Sequence, residues 1–229
     1  MKKLPPANPN DEEINVLLLS FPRCGNTWYR YAMEWLTKKP TVGGPGRDPA
    51  VDWKLNGALG VDMKKPLLMV KRHWPSDKIS TDSKIILILR NYRECVSRHV
   101  ASARKEDPYV LIDRYVDNVT YFHHKFKKRL CIYYEDFLKN PEPILKKSLD
   151  FLEESDARLE GFVTNLIDHK NRSVNLYKKF QGYSQTGGSP KKLLHYSNAM
   201  TKEKKWAWDS RAQQRDPWIY SKYLSRYKS

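Results

Sequence analysis

The chain has 229 residues, enough for one α/β domain with a real core and a tight fit for two. Its residues are 40% hydrophobic and 12% aromatic, which excludes wholesale disorder, and 42 Lys+Arg against 26 Asp+Glu leave a formal charge of +16 that calls for an anionic ligand or surface. No apolar run approaches the ~20 residues of a membrane span, and the three cysteines, Cys24, Cys95 and Cys131, make no disulfide framework.

Met1 to Glu13 is Lys, Pro, Asn and acid, which reads as a polar leader and not a signal peptide. The expectation is a soluble, cytoplasmic protein in a reducing compartment. Ile14 to Ser20, INVLLLS, is a short apolar run and predicts the first strand. A turn at Phe21 to Asn26 follows. Thr27 to Lys38 then reads as a helix, because Trp28, Tyr31, Ala32, Trp35 and Leu36 gather on one face. Pro40 and the cluster from Gly43 to Gly46 break it, and Thr41 to Lys65 reads as a long loop of the kind that shapes binding sites.

Leu67 to Lys71 and Lys84 to Leu89 predict two more buried strands. Helices are expected from just after Arg90 to about Ala103 and from Pro108 to Lys127, with a strand at Leu130 to Tyr134. Pro141 to about His169 reads as helical with a break near Ser155, Lys170 to His195 as a basic loop, and Thr201 to Tyr227 as a helical tail interrupted at Pro217. Strands alternating with helices predict a single α/β domain over 1–229, with a mainly parallel sheet flanked by helices.

SFPRCGNTW, Ser20 to Trp28, joins the first strand to the first helix. A tight turn there aims backbone N–H groups and a helix amino terminus at one point, an anion site in the making. Gly25 lets the backbone approach the anion, Thr27 supplies a hydroxyl and Arg23 a permanent charge. It is not a Walker A loop, since G-x-x-x-x-G-K-[ST] is absent.

This loop resembles the 5′-phosphosulfate-binding loop of the sulfotransferase family, whose members use PAPS (3′-phosphoadenosine 5′-phosphosulfate). The family pattern is roughly P-[KR]-[ST]-G-[TN]-[TS]-W. Pro22, Arg23, Gly25, Asn26, Thr27 and Trp28 fit it; Cys24 stands where Ser or Thr is usual, which removes one hydroxyl contact and keeps the backbone cradle. Three more segments match in the family's order. KRHWP, Lys71 to Pro75, resembles the segment that carries the general base; ILILRNYRECVSRH, Ile86 to His99, the 3′-phosphate segment; and IYYEDFLKNPEPILKKSLDFL, Ile132 to Leu152, the block after the fourth strand. The resemblance implies a P-loop-like nucleotide-binding architecture.

It also implies roles. His73 would be the general base, and an imidazole's ordinary pKa near ~6.5 suits proton transfer at neutral pH. Lys71 and Arg23 would balance charge on the sulfuryl group and the leaving oxygen. Arg cannot give up a proton, so Arg23 serves as a clamp and donor. Arg90 would grip the 3′-phosphate with a forked contact. The family's Ser, eight residues after that Arg, falls on Arg98 here, with Ser97 one short; either Ser97 or Arg98 completes the phosphate site. Trp28 would stack on adenine, or be core packing of an amphipathic helix, and Tyr134 would contact the base edge. The family's C-terminal R-K-G loop is absent as such, and Lys191 and Lys192 stand in its region. The expected product is PAP, no metal is expected, and the acceptor is a small molecule or glycan. The positive charge permits an anionic one.

Two other readings compete. Cys24 to Arg30, CGNTWYR, is a C-x5-R, the spacing of cysteine phosphatases. The charge and the basic run Lys125 to Arg129 also fit a nucleic-acid binder, although no reading module is present.

Overall fold

Apolar runs buried on both faces make parallel strands, and the segments between them must return across a face of the sheet as helices. The computed structural model describes residues 9–43, 59–101, 106–181 and 199–228. Strand β1 (Val16–Ser20) lies at the centre of a five-stranded sheet with β2 (Thr41–Val42), β3 (Met69–Arg72), β4 (Lys84–Leu89) and β5 (Arg129–Tyr133). The order is β2-β3-β1-β4-β5 and every pairing is parallel. The sheet reverses direction of growth at β1, between β3 and β4, the place where such sheets open a crevice at their carboxyl ends.

Helix α1 (Asn26–Thr37) follows β1, α2 (Tyr92–Ala101) and α3 (Pro108–Lys125) follow β4, and α4 (Tyr134–Lys139) and α5 (Pro141–Leu152) follow β5. Then come α6 (Leu159–Thr164), α7 (Leu166–Gln181) and, in the tail, α8 (Lys202–Arg215). The tail turns at Asp216, which caps a short helix α9 (Pro217–Ile219) by accepting from the Ile219 N–H, and ends in a π turn (Tyr220–Leu224) and a 3-10 turn (Ser225–Tyr227). The core is aliphatic at the sheet, with Leu17, Leu18, Leu19, Ile85, Ile86 and Leu87 fully buried. Side chains of this kind stabilise by roughly 1.5–3 kcal/mol each when removed from water. No helix among the described residues is long and apolar enough to cross a membrane.

The structure corrects three boundaries and adds a contact. Thr41–Val42, expected in a loop, forms the edge strand β2, its pairing continued by the Leu68 N–H to the Pro40 carbonyl at 2.8 Å. Tyr134, expected to end a strand, opens α4 instead, where Glu135 and Asp136 suit the first turn of a helix. Helix α7 runs on to Gln181 through residues read as loop. The described end of the leader is docked: Asp11 pairs with Arg72 at 3.0 Å, and Arg72 is buried at the end of β3.

Candidate active site

The carboxyl ends of β1, β3 and β4 bring three of the predicted segments together. After β1 the chain turns through Arg23 at φ +72° and Gly25 at φ +90°. Both lie in the left-handed region, which turns the backbone sharply and suits glycine at the second position. Gly25 is the N-cap of α1, so no cap side chain covers the helix start. Such a start is where the oxygens of an anion are received. A Cβ on Gly25 would collide with the ring of Tyr134, which lies directly on the loop. Asn26 fastens the other side, its Nδ2 donating to Ser20 Oγ at 3.1 Å.

His73 follows β3 and leans onto the end of β1. Its Nδ1 lies 2.7 Å from the Ser20 carbonyl oxygen. A carbonyl only accepts, so Nδ1 carries the proton and Nε2 keeps its lone pair. That lone pair is met by the ammonium of Lys71, itself buried at the end of β3. The backbone behind the base is held from α3, where Asn118 Nδ2 donates to the His73 carbonyl at 2.9 Å.

Arg90 leaves the end of β4 and returns to the same loop. Its Nη1 donates to the Arg23 carbonyl at 3.1 Å, and its guanidinium lies 5.0 Å from the centre of the Tyr134 ring. Glu94 braces it at 3.7 Å and pairs also with Arg98. Burial pushes the Tyr134 hydroxyl up in pKa, with Arg90 and Arg98 both pulling against it. Arg90, Arg98 and Tyr134 therefore act on one another beside the Gly25 turn. Ser97, the other candidate for the phosphate site, donates its hydroxyl to Met200 Sδ at 3.7 Å.

One predicted side-chain contact is not where the sequence put it, and Trp28 takes the second of its two readings. Cys24 is fully buried with its sulfur 3.4 Å from that of Cys95, because the turns on either side direct its side chain into the core. Only its backbone belongs to the loop. Trp28 is 9% exposed and packs with Tyr31 at 5.4 Å, Phe162 at 5.9 Å and Phe137 at 6.3 Å. It is a core residue here, and an adenine platform on it would need one of those rings to give way. Lys191 and Lys192 lie outside the described residues.

The phosphatase reading loses its geometry, and part of the basic run makes contacts within the fold. Arg30 of the C-x5-R is buried, with Nε donating to Thr41 Oγ1 at 2.7 Å and Nη2 paired with Glu34 at 3.6 Å, and the Cys24 sulfur does not face the loop. Burial also pushes the partnering Cys95 thiol well up. In the basic run, Lys125 is used to hold the carbonyls of Ser76 and Asp77 at 3.1 and 2.8 Å, and Arg129 donates to the His123 carbonyl.

Sequence reasoning missed Glu94, Asn118 and Asp11. Glu94 had a signal: it stands four residues after Arg90 and four before Arg98, the spacing of facing partners on a helix. Asn118 and Asp11 had none, since each acts across more than forty residues of chain.

No family model and no curated protein matches the chain. Among solved structures, mouse sulfotransferase SULT7A1 complexed with PAP aligns with a TM-score of 0.62 at 14% identity, over 96% of this chain and 87% of that one. The sulfotransferase domain from the Synechococcus PCC 7002 olefin synthase aligns at 0.44 and 17%, over 98% and 92%, and that from the curacin biosynthetic pathway at 0.40 and 15%, over 61% and 74%. With its parallel five-stranded sheet and its Gly25 turn at the end of the central strand, the chain has the sulfotransferase fold.

Proposed function

We propose that the chain is a PAPS-dependent sulfotransferase that moves a sulfuryl group to a hydroxyl or amine acceptor with His73 as general base. The observation that carries this reading is the pair of contacts on His73: Nδ1 bonded to the Ser20 carbonyl and Nε2 turned to Lys71, beside a glycine-capped helix start. The residues suit the donor. The Gly25 turn offers a helix start with no cap side chain, Arg23 and Lys71 supply cations, and Arg90, with Ser97 or Arg98, stands one strand away for a second phosphate. That the mouse relative was obtained with PAP supports the same assignment.

PAPS would supply the sulfuryl group, whose bond to the phosphate oxygen breaks as a bond to the acceptor oxygen or nitrogen forms. The chain's part is protonic and electrostatic. His73 Nε2 takes the acceptor's proton, and Nδ1 keeps its own because the Ser20 carbonyl holds it. Lys71, whose ammonium meets Nε2 in this structure, would leave that lone pair to the acceptor and turn to the departing oxygen, where negative charge grows. Arg23 acts as a fixed cation. No step needs a metal, and the partners are a nucleotide and a small-molecule or glycan acceptor, with nucleic acid no part of the reading. Lys191 and Lys192 are kept as nucleotide contacts, and a cytoplasmic setting suits the three free thiols.

The test is thermal unfolding with saturating PAP in EDTA. PAP is expected to raise Tm, because a ligand of the native state stabilises it by mass action, by about 2.7 kcal/mol at a hundred times Kd. An unchanged Tm removes the nucleotide assignment.

A further inference from the structure

Immediately beyond the base, the structure opens a pocket of about 330 Å³ lined by Trp74, Pro75, Arg114 and Asp117. That volume is at the small end for ligand sites, the size of a one-ring molecule and not of a polymer. Its two walls differ in kind. Trp74 and Pro75 follow His73 directly in sequence and are flat and apolar. Trp74 is 38% exposed, its ring set edge-to-face against Phe21 at 5.7 Å and 6.3 Å from the His73 ring. The other wall comes from one turn of α3, and it is charged.

The charges on that wall are unequally satisfied. Asp117 accepts two hydrogen bonds from Arg215, at 2.8 and 3.1 Å, so its carboxylate is balanced. The Arg114 guanidinium lies 5.4 Å from the centre of the Trp74 ring and has a single long ion pair, 3.6 Å to Glu106, among the described residues. Glu106 is itself shared with His99 at 3.4 Å. An arginine held over an indole keeps its planar donors pre-set, and such a fork matches a carboxylate.

We propose that this pocket selects the acceptor, and that the acceptor is a small aryl acid. Its ring packs on Trp74 and Pro75, its carboxylate is received by Arg114, and its hydroxyl is turned back toward His73. The assignment rests on His73 being the base, but Arg114 and Trp74 are specificity-determining residues and make no claim on the chemical step.

The experiment uses a matched pair of probes, 4-hydroxyphenylacetate and its neutral amide, with the full chain and saturating PAP. Binding is measured by calorimetry or ligand-observed NMR, and transfer from PAPS is measured alongside. The acid is expected to bind about tenfold tighter than the amide, the scale of one charge-assisted contact. Arg114→Gln is expected to erase that preference while the amide binds as before, and Trp74→Ala to weaken both probes together. Equal binding of acid and amide to the unaltered chain, a preference that survives Arg114→Gln, or no binding of either probe overturns the proposal. Binding that follows Arg114 while His73→Ala still transfers sulfuryl groups would instead overturn the base and leave this pocket standing.

Discussion

At the scale of single residues, Gly25 and His73 divide the work, and substitution separates them. Gly25 combines a left-handed backbone with the absence of room for a Cβ under the Tyr134 ring. Gly25→Ala must therefore strain the turn or push Tyr134 off the loop, at a cost of about 1–3 kcal/mol. It is expected to abolish the rise in Tm with PAP. His73 lies farther along the crevice, so His73→Ala is expected to keep the PAP shift and lose transfer by about a hundredfold or more, the range of a positioned general base. Thermal shift and labelled-PAPS transfer, run on both variants, check the division. A PAP shift lost with His73→Ala would mean that the residue holds the nucleotide and not the acceptor's proton. Cys24 shows the limit of reading at this scale. Its place in the motif is legible, but two positive φ angles beside it decide that the sulfur faces Cys95 in the core.

At the scale of elements, α3 acts as the splint of the base. Four residues along one stripe, Arg114, Asn118, Tyr121 and Lys125, all reach the segment that follows β3. Arg114 covers Trp74, Asn118 holds the His73 carbonyl, and Tyr121 and Lys125 both donate to the Ser76 carbonyl, at 2.6 and 3.1 Å. Their spacing of four, three and four is that of one helix face. Asn118 is the buried member, and its Oδ1 has no hydrogen-bond partner among the described residues. Asn118→Ala is expected to lower kcat about tenfold while leaving the PAP shift unchanged, since the nucleotide loop does not touch it. Equal losses in both readouts would mean general loosening. The helix itself was legible from its apolar period, whereas its stripe was not, because the partners are forty and more residues away. Elsewhere the same divide holds. β4 was read to the residue, being an uninterrupted apolar run. β2 is two residues long and has no period to read, and α7 beyond His169 hides its buried Ser173 among basic residues that resemble a loop.

At the scale of the whole molecule, the carboxyl tail ties the nucleotide side of the crevice together. Helix α8 lies along the other stripe of α3, with Arg211 to Asp113 at 2.7 Å and Arg215 to Asp117 at 2.8 Å. Farther on, the Tyr227 hydroxyl donates to Glu135 at 3.0 Å, and Glu135 accepts the Asn91 N–H at 2.9 Å. Asn91 follows Arg90 and Glu135 follows Tyr134, so the tail reaches the two residues that flank the Gly25 turn through their chain neighbours. Arg93 completes the tie, bonded to Asp209 at 3.0 and 3.1 Å and to the Tyr227 carbonyl. These contacts are not equal in weight. The pair between Arg226 and Asp136 is exposed; its hydrogen bond holds the Asp136 carboxyl below the ordinary value of 3.8, against burial. The stability it adds is present above that value and lost as pH falls through the depressed one, and exposed pairs add at most about 1 kcal/mol. Arg93 is buried and Asp209 only slightly exposed, and removing one partner of such a pair costs up to about 3–5 kcal/mol. Asp209→Ala is therefore expected to destabilise the chain far more than Asp136→Asn at neutral pH, and also to weaken PAP through the path by Asn91 and Arg90. Saturating PAP should then recover part of the lost Tm, because the ligand draws the tail back to its docked state. Unfolding of the two variants with and without PAP decides it. Should Asp209→Ala lose stability yet bind PAP as tightly as the unaltered chain, the tail is a brace for the fold and is not coupled to the nucleotide site.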